Sequence, residues 1–435
     1  MTKGVITVDP PEAEIGDPVS IRLSAFPPEH PVTVRATTVG LAYPDLEDTG
    51  TVRESSATFQ TDASGTVDLA EDAPISGSYA VANPMGLFWS MTEVQAASEP
   101  TSASPPPDSA NPAVFLQYRT ELTAEVDGAP VATAVLDQDL GSPDVTMTEI
   151  SENGVLGQFY LPPGAGPFPA VIVLSGSSGG LTVRRPKVFA SQGYAVLSLP
   201  YFNYTSPVDG TALPSTAVEL PLEYFGKAID WLQAQPSVDP DRIGIYGTSL
   251  GGQVAMLVGA RYPEIKSVIA IAPPTVTWDD GAGKSSFSFE GKPVPFATTI
   301  GVEAAAQPFR DAVAAGQDFR ATIPGIVANA KADPETAAAI IPVEKIKGSV
   351  LVVSGTNDTQ LPSVVYGELS MDRLREHDFA FPYRHVIGEG AGHLIDVPYV
   401  DRSTEISEGG GSPEANELAG EAMWPLVLED LAAMK

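Results

Sequence analysis

The spacing of apolar residues changes near residue 148 of this 435-residue chain, and this change constrains the fold most. Beyond it, the apolar runs AVIVLS, RIGIYG and SVLVVSG are continuous, as expected for strands of a parallel sheet covered on both faces. Stretches with helical spacing alternate with these runs. Such alternation predicts a doubly wound, mostly parallel α/β sheet over residues 148–435, with ligands at the carboxyl ends of the strands.

Residues 1–140 have another pattern, in which short segments alternate apolar and polar residues between prolines and glycines. This pattern predicts an antiparallel β-sandwich of immunoglobulin-like type. Residues 96–112 (AASEPTSASPPPDSANP) are rich in serine and proline, and we expect a loop within this first domain. In the second domain, residues 275–341 interrupt the alternation and form a candidate cap segment.

Composition excludes several classes of function. The formal net charge is −31, from 55 acidic and 24 basic residues, so binding to nucleic acid or to an anionic membrane is disfavoured. The acidic surface indicates either a saline habitat, where salt screens the repulsion, or an ordinary acidic enzyme. The absence of cysteine excludes disulfides, thiolate metal sites and a cysteine nucleophile. With only four histidines, we expect no metal and no cofactor.

The location of the protein is predicted from what the sequence lacks. The first residues, MTKGVITVDPPEAEIGDP, contain no apolar segment typical of a secretory signal. No apolar run approaches the ~18 residues that a membrane-spanning helix needs. We therefore expect a soluble, cytoplasmic protein, whose oligomeric state the sequence does not indicate.

The motif Gly247-Thr248-Ser249-Leu250-Gly251 lies between an apolar strand and a helical stretch. A serine hydroxyl is a weak nucleophile unless it is held exposed beside a base. A strand–turn–helix elbow holds it so, and the flanking glycines avoid clashes in the strained turn. Ser249 is therefore the candidate nucleophile.

A second match to the same motif, Gly176-Ser177-Ser178-Gly179-Gly180, makes Ser178 the competing nucleophile. In α/β-hydrolases the nucleophile follows a later strand than the oxyanion loop, and the catalytic residues run serine, acid, histidine along the chain. With Ser249 as the nucleophile, Asp358 follows the strand SVLVVSG and His393 follows RHVIGEG, where that fold has its acid and base. We therefore favour Ser249.

The predicted roles follow from the Ser–His–Asp triad. His393 takes the proton of Ser249, and Asp358 orients the imidazole. Oxyanion-hole donors are predicted from the amide of Leu250 and from Gly176 or Ser177.

The remaining histidines, His30, His377 and His385, are interpreted as structural or surface groups. Asp358 has a competing interpretation as a simple turn residue.

Several stretches resemble one known family. They are PVSIRLSAFPPEHPVTVRA, NPMGLFWSM, LPPGAGPFPAVIVLSGSSGGL, LPLEYFGKAIDWL, GIYGTSLGGQ, IPVEKIKGSVLVVSGTNDTQLPS and GAGHLIDVPY. In this order they resemble the acyl-CoA thioesterases and bile acid-CoA:amino acid N-acyltransferases. The resemblance implies an immunoglobulin-like N-terminal domain joined to an α/β-hydrolase domain, a role in lipid metabolism, and a nucleophile, acid and base at Ser249, Asp358 and His393.

The resemblance also bears on the reaction. Family members that conjugate amino acids carry cysteine as the nucleophile, so serine at position 249 favours hydrolysis over transfer. Members usually have Asp-Asp where this chain has Asn357-Asp358, which leaves a single acid. CoA phosphates require a local positive patch, and Arg184, Arg185 and Lys187 are the candidates; a helix face that packs against acidic neighbours is the alternative interpretation.

The sequence leaves four hypotheses. The first is a serine hydrolase that cleaves acyl-CoA thioesters to free acid and CoA through an acyl-enzyme on Ser249. The alternatives are a carboxylesterase or polyester hydrolase without CoA dependence, an acyl-CoA:amino acid N-acyltransferase, and a binding protein with an inactive triad.

Overall fold

The computed structural model describes residues 4–39, 52–95, 117–182, 184–279, 283–297, 305–399 and 409–434. The chain divides into one compact unit of residues 1–143 with 397–408, and a second of 144–396 with 409–435. This division differs from the sequence-based limits of 1–140 and 148–435, because residues 397–408 group with the first unit. Tyr399 gives the physical reason, since its side chain packs against the apolar core of that unit. The predicted loop 96–112 lies outside the described residues.

The first unit is rich in β-structure. Its strands are β1 (Val5–Asp9), β2 (Glu12–Glu14), β3 (Ser20–Ser24), β4 (Pro31–Val39), β5 (Val52–Gln60), β6 (Val67–Asp68), β7 (Ser76–Gly77), β8 (Thr92–Gln95), β9 (Gln117–Val126) and β10 (Ala129–Asp139), and helix α1 is Gly86–Trp89. One sheet has the order β1-β3-β6, and the other has β2-β10-β9-β4-β5-β7, with β8 also paired to β5. Alternate residues of both sheets, such as Ile21 and Val34, enter one apolar core. The immunoglobulin-like topology stays a prediction.

The second unit contains one large sheet and one small one. The large sheet has the order β11 (Thr146–Glu152), β12 (Val155–Leu161), β14 (Ala195–Ser198), β13 (Phe168–Leu174), β16 (Val238–Thr248), β17 (Ile265–Ile271), β20 (Ser349–Gly355) and β21 (Tyr383–Gly388). The small sheet joins β15 (Leu220–Pro221), β18 (Phe287–Phe289) and β19 (Lys292–Pro293). In the large sheet, β11, β12 and β14 pair antiparallel, and every pairing from β14 through β21 is parallel. The predicted mostly parallel sheet is therefore present.

Helices cover both faces of this sheet. They are α2 (Arg184–Ser191), α3 (Glu223–Gln233), α4 (Leu250–Gly259), α5 (Gln307–Ala314), α6 (Ile323–Ala332), α7 (Pro334–Ala339), α8 (Ser363–Glu376) and α9 (Pro413–Ala432), with 3₁₀ turns at Phe319–Ala321 and Val343–Lys345. Ile245 of β16 shares a core with Phe225 of α3. The next residue, Tyr246, points to the opposite face and packs against Phe189 of α2, which also contacts Trp424 of α9. The sheet is thus doubly wound.

The order of the central strands leaves a crevice at their carboxyl ends. Strand β13 has β14 on one side and β16 on the other, so the chain leaves β13 in one direction and later returns on its other side. Leu174 and Gly247 are neighbours at the carboxyl ends of β13 and β16. A parallel sheet binds ligands at such a switch point, because the connecting loops diverge there.

Residues 275–341 are partly helical in their described parts, through α5, α6 and α7. Phe309 of α5 and Ile326 of α6 share an apolar cluster with Val365 of α8, so this segment packs on a helix of the sheet domain. Its function as a cap stays a prediction. No helix of the described residues combines the length and the apolar character that crossing a bilayer requires.

Replacement of Phe189 by alanine is expected to destabilise the second unit. Its side chain is fully buried between Tyr246 and Trp424, with ring centroids at 5.3 and 5.2 Å. Loss of so large a buried side chain lowers the free energy of unfolding by about 3–5 kcal/mol. Urea unfolding followed by tryptophan fluorescence measures it. Leu418→Ala, at a residue that is 42% exposed on α9, is the control and is expected to change it by less than about 0.5 kcal/mol.

Candidate active site

Ser249 occupies a sharp turn between β16 and α4. Its backbone has φ 57° and ψ −124°, a left-handed conformation that a non-glycine residue keeps only when its surroundings enforce it. The Ser249 N–H donates to the carbonyl of Ile271 at 2.7 Å, which ties the turn to the end of β17. The residue is half-buried. This strand–turn–helix geometry is that of a nucleophile elbow.

The glycines of the motif allow the turn because backbones approach one another closely there. A Cβ atom on Gly247 would lie 2.2 Å from the carbonyl carbon and oxygen of Gly251. A Cβ atom on Gly251 would lie 2.4 Å from the carbonyl oxygen of Ser175. Both contacts are with backbone atoms, so neither position accepts a larger residue without displacing the elbow or the loop after β13.

Ser178, in the competing motif, has different surroundings. Residues 177–178 form a turn closed by the Gly179 N–H, which donates to the carbonyl of Gly176 at 3.1 Å. The side chain is exposed, the backbone is not left-handed, and the next helix begins only at Arg184. The elbow geometry therefore belongs to Ser249 alone of these two serines.

Asp358 and His393 form a buried pair. His393 Nδ1 and Asp358 Oδ2 are 2.8 Å apart, and the two side chains are 2% and 1% exposed. The other carboxylate oxygen accepts the N–H groups of Gln360 and Leu361 at 2.9 and 2.8 Å. Asp358 is thus held by its own turn and presents one oxygen to the imidazole.

The pairing fixes the orientation of the imidazole. A carboxylate only accepts hydrogen bonds, so His393 Nδ1 carries the proton of this contact. In the neutral ring, Nε2 then has a free lone pair, as a general base requires. His393 Nε2 is buried and has no hydrogen-bond partner among the residues that the structure describes.

Three chain segments pack closely around this pair. The His393 N–H donates to the carbonyl of Gly409 at 2.8 Å, and the Asn357 N–H donates to Ala391 at 2.8 Å. A Cβ atom on Gly392 would lie 2.1 Å from the carbonyl oxygen of Gly410. Glycine is needed beside His393 because these backbones leave no room for a side chain.

The predicted oxyanion-hole residues lie at the same sheet edge as Ser249. A Cβ atom on Gly176 would be 3.6 Å from Ser249 Cβ, so the loop after β13 adjoins the elbow. Leu250 is the first residue of α4, and its N–H has no acceptor within the helix, since the first four amides of any helix lack one. The role of these amides, and of Ser177, stays a prediction.

The predicted CoA-phosphate residues are buried. Arg184 Nη2 lies 2.6 Å from Asp396 Oδ2, and Arg185 Nε lies 2.8 Å from Asp396 Oδ1, with all three side chains at most 9% exposed. Lys187 is 2% exposed. This finding corrects the prediction of a phosphate-binding patch, because both guanidinium groups already neutralise a buried carboxylate. The alternative interpretation, packing against an acidic neighbour, describes them better.

Sequence reasoning missed Asp396 and Asn416, which hold the loop of His393. Asn416 Oδ1 accepts the N–H of Gly392 at 2.7 Å. Asp396 lies only three residues after His393, yet nothing in its spacing indicates the pairing with arginines some two hundred residues earlier.

His385 belongs to a second Ser–His–carboxylate arrangement. Its Nδ1 is 2.8 Å from Glu368 Oε1, and its Nε2 is 2.9 Å from Ser354 Oγ. The hydrogen bond from His385 lowers the pKa of Glu368, against the opposing effect of burial. Ser354 is fully buried and donates its hydroxyl proton to the carbonyl of Ser363, so no substrate reaches it. This arrangement fastens α8 to β20 and β21.

The other two histidines form no hydrogen bond or ion pair with the pair formed by Asp358 and His393 among the residues that the structure describes. His30 contacts Asp127 at 3.3 Å in the first unit, and His377 follows the last residue of α8. Among the described residues, no group of three or more histidine, aspartate or glutamate side chains is arranged to hold a metal ion.

The fold and the site together define an α/β-hydrolase. The sheet is mostly parallel, a serine elbow follows a central strand, and an Asp–His pair follows the last two strands. Residues 156–277 accordingly match the dienelactone hydrolase family. Residues 16–152 match the family described as "Acyl-CoA thioester hydrolase/BAAT N-terminal region", and residues 220–429 match "BAAT / Acyl-CoA thioester hydrolase C terminal". The chain belongs to this acyl-CoA thioester hydrolase/BAAT family.

Two relatives illustrate the range of the family. Acyl-coenzyme A amino acid N-acyltransferase 1 of Mus musculus is 30% identical over 392 residues, which cover 90% of this chain and 86% of that protein. Acyl-coenzyme A thioesterase 2, mitochondrial, of Rattus norvegicus is 28% identical over 404 residues, 92% of this chain and 80% of that protein.

Gly247→Ala is expected to disable the elbow. The added methyl group overlaps the backbone of Gly251, and a displacement of about 1 Å at a reacting group reduces a rate by about 100-fold. The measurement is the rate at which a fluorophosphonate probe labels the protein. Gly325→Ala is the matched control, because in the described part of the chain no atom beyond the neighbouring residues and backbone of its own helix, α6, lies within 4 Å of its Cβ position. Labelling of Gly247→Ala at the unmodified rate would contradict the assignment of the elbow.

Asp396 is expected to make the free energy of unfolding depend on pH in the acidic range. Burial alone would raise its pKa, but the guanidinium groups of Arg185 and Arg184 outweigh burial and hold the pKa below its usual range. The carboxylate therefore contributes stability above its unfolded pKa of about 3.9, and this contribution is lost as the pH falls below that value.

Urea unfolding of the unmodified protein and of Asp396→Asn between pH 7 and pH 2 measures this effect. At neutral pH the substitution is expected to lower the free energy of unfolding by about 3–5 kcal/mol, since it removes the charge of the carboxylate that both buried guanidinium groups contact. The difference shrinks below about pH 4. A difference that stays constant with pH would show that Asp396 is not the ionised partner.

Proposed function

We propose that this protein is a serine hydrolase that cleaves acyl-CoA thioesters to a free acid and CoA. The observation that carries the proposal is the buried His393, whose Nδ1 is held by Asp358 and whose Nε2 has no partner among the described residues. This base follows β21, at the same sheet edge as the elbow of Ser249 after β16. Membership of the acyl-CoA thioester hydrolase/BAAT family supports the class of substrate.

The reaction proceeds in two halves. His393 Nε2 removes the hydroxyl proton as Ser249 Oγ attacks the thioester carbonyl, and Asp358 stabilises the imidazolium. The tetrahedral intermediate places its oxyanion near the amide of Leu250 and an amide of Gly176 or Ser177, where one such donor contributes about 3 kcal/mol. The carbon–sulfur bond breaks, and the thiolate of CoA leaves with the proton from His393.

Water completes the second half. The same imidazole, now neutral, takes a proton from water as the hydroxide attacks the acyl-enzyme. Collapse of the second tetrahedral intermediate returns the proton to Ser249 Oγ and releases the carboxylic acid. Both halves use the same base and the same oxyanion donors, so loss of either lowers the overall rate.

The acyl chain is proposed to bind beneath the cap segment of residues 275–341. This segment supplies an apolar cluster on α8, and α8 follows Asp358 in the chain after a short turn. No CoA-phosphate role is proposed for Arg184 or Arg185, because Asp396 already holds both groups. Cytoplasmic location stays a prediction, as does the immunoglobulin-like topology of the first unit.

Transfer to an amino acid is the second candidate, because four relatives at 27–30% identity are named N-acyltransferases. This chain has no cysteine, so its nucleophile is an oxygen and differs from the cysteine that the resemblance associates with conjugation. We therefore place hydrolysis first. A carboxylesterase that accepts oxygen esters without CoA is the third candidate.

Ser249→Ala is expected to abolish both thioester hydrolysis and labelling. Removal of the nucleophile from such a triad lowers kcat by about 10⁶-fold. The measurements are CoA release from palmitoyl-CoA and incorporation of a fluorophosphonate probe. Ser178→Ala is the matched control, with an unchanged rate expected. If Ser178→Ala removed labelling and Ser249→Ala did not, the proposal would be wrong.

The same assays separate the candidate functions. Hydrolysis predicts free palmitate whether or not glycine or taurine is present, whereas a transferase forms the amide. Saturation by p-nitrophenyl butyrate without turnover of any acyl-CoA would favour the carboxylesterase. A protein that the probe does not label at all would be a binding protein with an inactive triad.

A further inference from the structure

Polar contacts hold the loop of His393 on its upstream side. The loop follows β21 and contains no helix or strand at residues 389–396; a turn at its start is closed by the Ala391 N–H, which donates to the carbonyl of Gly388 at 3.3 Å. The Gly392 N–H donates to Asn416 Oδ1 of α9, and the His393 N–H donates to the carbonyl of Gly409. These contacts fix the backbone up to His393, but none of them acts on the residues that follow.

An ion cluster holds the loop on the downstream side. Asp396 lies three residues after His393, and its two carboxylate oxygens each accept from a different guanidinium group, Arg184 at 2.6 Å and Arg185 at 2.8 Å. Because both oxygens are engaged, the plane of the carboxylate is fixed as well as its position. Ile395, between His393 and Asp396, is fully buried. Because its side chain cannot move freely, a displacement of Asp396 also displaces His393.

The two arginines of the ion cluster lie at the beginning of α2. Arg184 and Arg185 are the first residues of that helix, which follows the loop after β13 that contains Gly176 and Ser177. The cluster therefore joins the loop of the predicted oxyanion donors to the loop of the proposed base. A buried ion cluster adds little stability over apolar residues of similar volume, so its geometric constraint is the feature that needs explaining.

We propose that Asp396, held by Arg184 and Arg185, is a positioning residue for His393 and keeps its imidazole in place at the sheet edge that carries Ser249. This inference rests on the proposed function, because it concerns the base of the same reaction. The competing explanation is that the cluster only stabilises the fold. The two explanations predict different activities for the molecules that remain folded after the cluster is broken.

Asp396→Asn preserves the shape of the side chain and removes its charge. Among folded molecules, we expect kcat for p-nitrophenyl butyrate to fall about 10- to 100-fold with KM within about twofold, since the base is displaced while the binding surface is kept. Active enzyme is counted by the final extent of fluorophosphonate labelling. Arg185→Lys keeps a cation but loses the planar fork, and it serves as the milder variant if Asp396→Asn folds poorly.

A spectroscopic measurement tests the position of His393 without any substrate. The Nδ1 proton shared with Asp358 is expected to give a far-downfield resonance in protein labelled with ¹⁵N-histidine. The chain has four histidines, and His393→Gln identifies the signal. We expect Asp396→Asn and Arg185→Lys to shift or broaden this resonance, because the loop no longer holds the ring in one place.

Glu344→Gln is the matched control. It breaks another ion pair of the same unit, in which Glu344 contacts Arg373 at 2.5 and 2.9 Å and is 12% exposed. This variant is expected to lose stability while it keeps kcat and the resonance. Unchanged kcat per labelled site together with an unchanged resonance in Asp396→Asn would overturn the proposal.

The outcomes separate this inference from the proposed function. If the unmodified protein neither reacts with the probe nor releases CoA from palmitoyl-CoA, the proposed function fails. The resonance then still decides the position of His393: a change in Asp396→Asn but not in Glu344→Gln supports the inference, and no change in either contradicts it.

Discussion

The close approach of backbones around Ser249 is the constraint on which the site depends. A left-handed serine costs of the order of 1–3 kcal/mol and persists only where its surroundings determine it. Here the glycines at 247 and 251 let β16, α4 and the loop after β13 approach closer than any side chain would allow. The hydrogen bond from Ser249 to Ile271 adds the neighbouring strand. The rigid parallel sheet thus holds Ser249 in its strained conformation.

Parallel strands place the remaining groups at the same edge. Strands β16, β17, β20 and β21 are successive neighbours, so the residues after each of them emerge side by side although they are far apart in sequence. Strand order brings the loops together but does not orient their side chains. Two backbone amides of its own turn orient Asp358, whereas the loop of His393 is held by side chains from outside it, namely Asn416, Arg184 and Arg185.

The parts of the site that could be predicted from sequence are those with a local signal. Continuous apolar runs reveal the strands, and the position of Ser249, Asp358 and His393 after particular strands follows from chain order. Pairings between distant segments leave no such signal. Arg184 resembles an exposed phosphate ligand until its partner, 212 residues away, is known.

Local patterns also fail where a contact depends on which face a residue occupies. The structural role predicted for His385 agrees with its contacts, but the partners Glu368 and Ser354 follow only from the register between β20 and β21 and the packing of α8. The grouping of residues 397–408 with the first unit is similar, since it depends on where Tyr399 packs and not on a change in composition.

The electrostatics of the chain constrain how an acyl-CoA would be held. At a net charge of −31 the field opposes a polyanionic nucleotide, and Arg184 and Arg185 are buried against Asp396 and so are not available to bind its phosphates. Salt shortens the range of this repulsion to about 8 Å at physiological ionic strength. Affinity for the proposed substrate must then come mainly from burial of its acyl chain, at about 0.8 kcal/mol for each methylene group. An acidic surface is compatible with CoA thioesters on this condition.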